Sequence, residues 1–378
     1  MGSHRRSLDR VAGCLALCAL ASLAAARAQT TPAPPPSPAR AVELYDAGRY
    51  PEARQVLEQL DGQGPLGGAL LYRLYYCQNL ERSPGAPPTL ERAIAALERE
   101  QAVGPSLEAA FYLVNAYSNA GRAADARRVA AAATGRIQDG AAPEPTDPLE
   151  QFRLAKLYAD QQNAAQAERW YAASLNGLAT TADGTHPAYV QWAARYMADA
   201  SFSRGEYTEA EPYLARLTEQ ERPAVLDLDR LAVSRARIGM YAEAGQAWRR
   251  IERVDPVNAD RARYSSRLAE AAARLPGFSA AAPDGRLWTQ LTKSELETIL
   301  TDQAAVVRTA QQDGADWKSL DAERKKELQG RLDRARPVFV GAGLEYTLQG
   351  HSIREAAFMG GFAPLIFHDN EWRLPKRR

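Results

Sequence analysis

Two histidines near the C-terminus carry what acid–base chemistry the sequence offers. His351 follows Gly350, and His368 stands beside Asp369 with Glu371 close behind. An imidazole near carboxylates can hold and pass a proton near neutral pH. That set would suit a cell-wall or envelope hydrolase with its site around His351 and His368. No Gly-x-Ser-x-Gly, phosphate loop or His-Glu-x-x-His accompanies it. Structural roles also fit: His351 follows a helix end, where a cation is favoured, and His368 lies beside a turn. Gly360-Gly361 reads as a turn more readily than as a phosphate cradle. Zinc takes three or four protein ligands. Cys77 with the scattered His186, His351 and His368 does not supply them, so neither a metal nor another cofactor is expected. These residues leave a non-enzymatic protein as the leading expectation and the hydrolase as the alternative.

The elements expected to hold those histidines form a C-terminal module, 291–378, behind a linker at 276–290. Ser294-x-x-Glu297 has capping-box spacing and would open a helix with Leu296, Ile299, Leu300, Ala304 and Val307 on one face. A charged amphipathic helix follows from about Leu320, with Leu328 and Leu332. Pro337 is expected to begin a separate, buried helix over 338–348, since proline suits a first turn. Ser352-x-x-Glu355 spaces a second capping box, and 364–374 reads as a β-hairpin around Asp369-Asn370. Phe362, Phe367 and Trp372 would be either docking contacts or the module's own core.

Upstream, residues 41–275 repeat. A small residue and an aromatic share a helix, a Gly-containing turn follows, and an Ala stands five residues after the Gly. The clearest copy reads Leu231-Ala232, Gly239, Tyr241, Ala244, Trp248 and Asp255-Pro256. Others hold Gly48 and Ala53, Gly121 and Ala126, and Gly205 and Ala210, with Gln162 in place of Gly before Ala167. A weaker copy holds Leu74, Ala93 and Leu97. The registered alanines Ala53, Ala93, Ala126, Ala167, Ala210 and Ala244 are separated by 40, 33, 41, 43 and 34 residues. The longer intervals contain turn-formers at 83–88, 140–147 and 180–187. Small residues let antiparallel helices approach closely, and Gly accepts the positive φ that ends the first helix.

This pattern resembles the tetratricopeptide repeat superfamily, whose period is about 34 residues. The resemblance covers about residues 39–275, most of the chain left after the first 28 residues. It implies a mainly α chain, a right-handed superhelical solenoid of about six helix pairs, closed by a capping helix over roughly 258–275. It also implies that the first helices of the pairs line a concave groove that binds a partner protein or peptide. By register, the groove positions are Phe111 and Asn115, Phe152 and Lys156, and Trp192, Arg195, Asp199 and Phe202. Asp229, Val233 and Arg237 follow in the last pair. Aromatic and Arg side chains often carry interface energy. Phe111, Phe152 and Trp192 equally fit a core in a slightly shifted register. Asn115, Arg153 and Lys156 form only part of a carboxylate clamp, so none is expected.

The first 28 residues read as an export address. Arg5, Arg6 and Arg10 precede an uncharged run from Val11 to Ala26, and Ala26-Arg27-Ala28 has the small-x-small form of a cleavage site. Sixteen residues fall short of the roughly 20 that span a bilayer. Cleavage after Ala28 is therefore expected, with an uncleaved anchor the alternative. Arg5-Arg6 also permits the twin-arginine route. A Pro-rich spacer occupies 29–40. With net charge +1 over 378 residues and no like-charge block, nucleic acid is not an expected partner. An exported scaffold, periplasmic or secreted, is the reading that joins these features.

Overall fold

The computed structural model describes residues 35–178, 187–257, 259–275, 278–315 and 318–351. Among these residues the secondary structure is helical, apart from an isolated bridge between Ala281 and Leu287. The expected hairpin at 364–374 and the second capping box lie outside the described residues, as do His186 and His368. No described helix is long and apolar enough to cross a membrane.

The chain divides into two compact units between Ala133 and Thr134. The first holds α1 (Pro38–Asp46), α2 (Tyr50–Gln63), α3 (Gly68–Leu80), α4 (Ala86–Val103) and α5 (Leu107–Asn119); the division falls inside α6 (Ala123–Gln138). The second holds α7 (Pro148–Asp160), α8 (Ala164–Leu178), α9 (Pro187–Ser203), α10 (Tyr207–Leu217), α11 (Val225–Arg237), α12 (Tyr241–Val254) and α13 (Ala259–Arg274). Then come a 3-10 turn (Trp288–Gln290), α14 (Lys293–Asp313) and α15 (Ala322–Leu348).

One device recurs between paired helices. Gly48, Arg82, Gly121, Gln162, Gly205 and Gly239 all have φ between 54° and 85°. The residue after each donates its N–H to a carbonyl five residues back. Arg49 to Leu44, Ser83 to Gln78, Arg122 to Tyr117, Asn163 to Tyr158, Glu206 to Ser201 and Met240 to Arg235 do so at 2.8–3.0 Å. This geometry satisfies carbonyls that a helix end leaves open. The registered alanines are buried at the helix contacts. Arg82 reveals the left-handed position of the weak second copy, where the sequence had marked none.

Side chains start several helices where the sequence supplies them. Ser37, Ser106 and Asp147 accept N–H groups of Arg40, Ala109, and both Leu149 and Glu150. Pro38 and Pro148 occupy first-turn positions that need no N–H.

The C-terminal helices correct three sequence expectations. First, the capping box is Thr292-x-x-Glu295, two residues before the predicted one. Glu295 accepts from the Thr292 N–H at 2.8 Å, and Thr292 Oγ1 accepts from the Glu295 N–H at 3.3 Å. Two boxes of equal spacing overlap here, and the burial of Leu291 at the end of the 3-10 turn fixes where the helix begins. Glu297, assigned to the cap, instead accepts the Tyr346 hydroxyl at 3.0 Å. Second, α15 runs through Pro337 as one helix. An interior proline costs about 3 kcal/mol. Leu328, Leu332, Phe339, Leu344 and Tyr346 are buried along α15, each worth about 1.5–3 kcal/mol, so burial prevails. Third, the segment read as a linker carries Trp288 into the core. Its Nε1 donates to the Ser279 carbonyl at 3.0 Å. Its ring lies over Gly341, where an added Cβ would stand 2.5 Å from it. One apolar core therefore runs from Leu228 of α11 to Tyr346 of α15.

Candidate interaction site

In the first unit, the expected groove residues turn inward. Phe111 is buried edge-on against Tyr112 at 5.0 Å. Asn115 donates to the Phe111 carbonyl at 3.0 Å, a bond within its own helix. Tyr112 packs on Tyr72 at 5.5 Å, and the buried Arg73 guanidinium lies 4.7 Å from the Tyr112 ring centre. Nearby, burial pushes the Cys77 thiol up to about 12. A neutral buried thiol is a poor nucleophile, so Cys77 serves as core.

The second unit separates core from surface. Phe152 is fully buried, with ring centres of Tyr189, Tyr171 and Trp192 at 4.9, 5.6 and 6.5 Å. The shifted-register reading thus describes Phe111 and Phe152, which present no face to a partner. Trp192 differs: it is 53% exposed. Lys156 pairs with Asp160 one turn along α7.

Salt bridges tie α9 to α11 below that tryptophan. Arg195 makes two parallel bonds to Asp227, at 2.7 and 2.5 Å, and Asp227 is buried. This hydrogen-bonded partner raises the Arg195 pKa above its ordinary value. Asp199 pairs with Arg230, whose guanidinium lies 5.4 Å from the Phe202 ring centre. Phe202 also meets Tyr207 edge-on at 5.5 Å. Arg195, Asp199 and Phe202 therefore hold neighbouring helices together, and their charges are largely satisfied within the chain.

Sequence register missed Leu226. It is 56% exposed and stands 34 residues after Trp192, one repeat period, on the next first-helix. The period marks it, but the groove positions were carried from the family pattern and passed it over. Trp192 and Leu226 are thus register-equivalent apolar side chains left in solvent, with the Arg195–Asp227 bridge joining their helices. Of the remaining groove positions, Asp229 accepts from Trp248 Nε1 at 3.2 Å and from Arg261 at 3.3 Å. Val233 is buried, and Arg237 is gripped by Glu345 of α15.

His351 donates its backbone N–H to the Tyr346 carbonyl at 3.2 Å, and its ring lies 4.9 Å from the Tyr346 ring. Among the described residues, no group of three or more His, Cys, Asp or Glu is placed to hold a metal.

No protein-family model and no curated protein matches the chain. Among solved structures it is similar to a tetratricopeptide repeat protein from Parabacteroides merdae ATCC 43184. The identity is 14% and the TM-score 0.30, over 83% of this chain and 97% of that one. It is also similar to Naa15/Naa10 bound to HypK-THB, at 15% identity and TM-score 0.28, over 87% of this chain and 57% of that one. Superpositions this loose carry no weight; what stands is the recurring helix pair with its left-handed turn. On the first helices of the second unit, Trp192 and Leu226 are large apolar side chains left more than half exposed.

Proposed function

We propose that this tetratricopeptide-like chain is a non-enzymatic scaffold of the bacterial cell envelope, exported by its N-terminal signal. It would hold a partner protein or peptide on the first-helix face of its repeats. The observation that carries this reading is the pair Trp192 and Leu226. Each exposes a large apolar surface one repeat from the other, on helices bridged by Arg195 and Asp227. Exposed apolar patches mark interaction sites, and Trp is prominent among residues that anchor partners.

The test is affinity capture of the tagged chain from its own envelope after mild crosslinking, beside Trp192→Ala and Leu226→Arg variants. Trp192 is 53% and Leu226 56% exposed, so both variants should stay folded, with Trp192→Ala melting slightly lower through its lost contact with Phe152. A defined partner retained by wild type and lost by both variants supports the reading. A partner held equally by all three would sink the assigned face. Mass spectrometry of the exported chain should find Gln29 at its start; residues 1–28 still attached would instead point to an anchor.

A further inference from the structure

A pocket of about 260 Å³ opens in the second unit among the first turns of α11 and α13 and the last turn of α12, lined by Val225, Leu226, Asp229, Ile251, Arg261 and Ala262. It is just below the size of ordinary small-molecule pockets, enough for one bulky side chain or a small acid. Four of its six lining residues are apolar. Ile251 and Ala262 are buried, and Leu226 is exposed.

The polar wall is unevenly satisfied. Asp229 has both oxygens engaged, Oδ1 by the Trp248 indole N–H at 3.2 Å and Oδ2 by Arg261 at 3.3 Å. Arg261 has the opposite condition. A guanidinium offers five N–H donors and no acceptor. Among the described residues, Arg261 has one acceptor, that long bond from Nη2 to Asp229; its Nε is closed to solvent, and the side chain is 28% exposed, which leaves the Nη groups as the donors within a ligand's reach. A cation with spare donors on an apolar pocket suits a planar anion, because a carboxylate can take two parallel N–H bonds from one guanidinium.

We propose that this pocket binds a small carboxylate carried on an apolar body. The body packs against Val225, Leu226, Ile251 and Ala262, and the carboxylate pairs with Arg261. The same chemistry is found in a free hydrophobic acid and at a peptide C-terminus ending in an apolar residue. The pocket shares Leu226 with the docking face proposed above but not Trp192, so Trp192→Ala tests that face alone and Arg261→Gln tests the pocket alone.

Titration calorimetry on the full chain tests this with four probes: 3-phenylpropionate, its amide, a tetrapeptide ending in leucine, and the same peptide amidated. At least one acid should bind wild type, with its amide weaker by roughly tenfold or more. Binding by the free acid identifies a small-molecule source, and binding by the peptide acid alone identifies a chain terminus. Arg261→Gln should weaken the acid by a similar factor. Leu226→Asp, at an exposed position, should do the same by setting a negative charge at the lining while the fold persists. The proposal is overturned if neither acid binds, if acid and amide bind equally, or if both variants bind as wild type does.

Discussion

At Gln162 a residue with a side chain occupies the conformation that Gly48, Gly121, Gly205 and Gly239 take at equivalent turns. A Cβ in the left-handed region costs roughly 1–2 kcal/mol. Glycine gives some of that back through greater freedom in the unfolded chain. Gln162→Gly is therefore expected to stabilise the protein by about 0.5–1 kcal/mol. The mirror change, Gly239→Ala, should destabilise it by about 1 kcal/mol. Nothing lies within 4 Å of a Cβ built on Gly239, so its cost would come from φ alone. Urea unfolding of both variants measures this, and a destabilised Gln162→Gly would refute the argument. These turns were readable because a left-handed residue favours one amino acid. Arg82 was not, because there the signal residue is missing and only the fold discloses the position.

At the scale of the element, the start of α14 links stability to pH. Backbone and hydroxyl bonds from Thr292, together with Arg286, hold the Glu295 carboxyl down at about 2. A carboxylate depressed in the folded state contributes stability that is present above its ordinary value near 4.5. That contribution disappears as the pH falls from there toward 2. Glu295→Gln should therefore melt below wild type at pH 6, and the gap should close between pH 4.5 and 2. A gap that persists unchanged at pH 2 would show that the cap acts through packing instead. Helix positions were legible from apolar periodicity, but their starts were not. Two capping boxes with the same spacing compete here, and the burial of Leu291 and Trp288 chooses between them.

For the molecule as a whole, the consequence concerns what may be removed. Leu268 of α13 packs on Gly343 of α15, and Trp288 packs on Gly341. Arg237 of α11 is bonded to the buried Glu345, and losing Glu345 would leave the Arg237 guanidinium, only 17% exposed, without its counter-charge. A chain ending at Leu275 should consequently lose cooperative unfolding in α11–α13 or aggregate through the exposed core. Differential scanning calorimetry of that truncation beside the full chain checks it. An unchanged melting transition would restore the linker reading of 276–290.

The sequence by itself determined the helical class, the register of the pairs and the residues at their turns. Those features follow from local rules: a period, a small residue at a close contact and a left-handed turn. It also marked Trp192 as a candidate contact. Only the tertiary structure decided which aromatics face inward. Phe111, Phe152 and Trp192 share an apolar character, and the burial of Phe152 among Tyr171 and Tyr189 depends on residues of later helices. The bridge from Arg195 to Asp227, the Arg261 pocket and the joining of α15 to α11 have the same origin. Each requires side chains from separate helices to meet, and one-dimensional spacing does not specify that meeting.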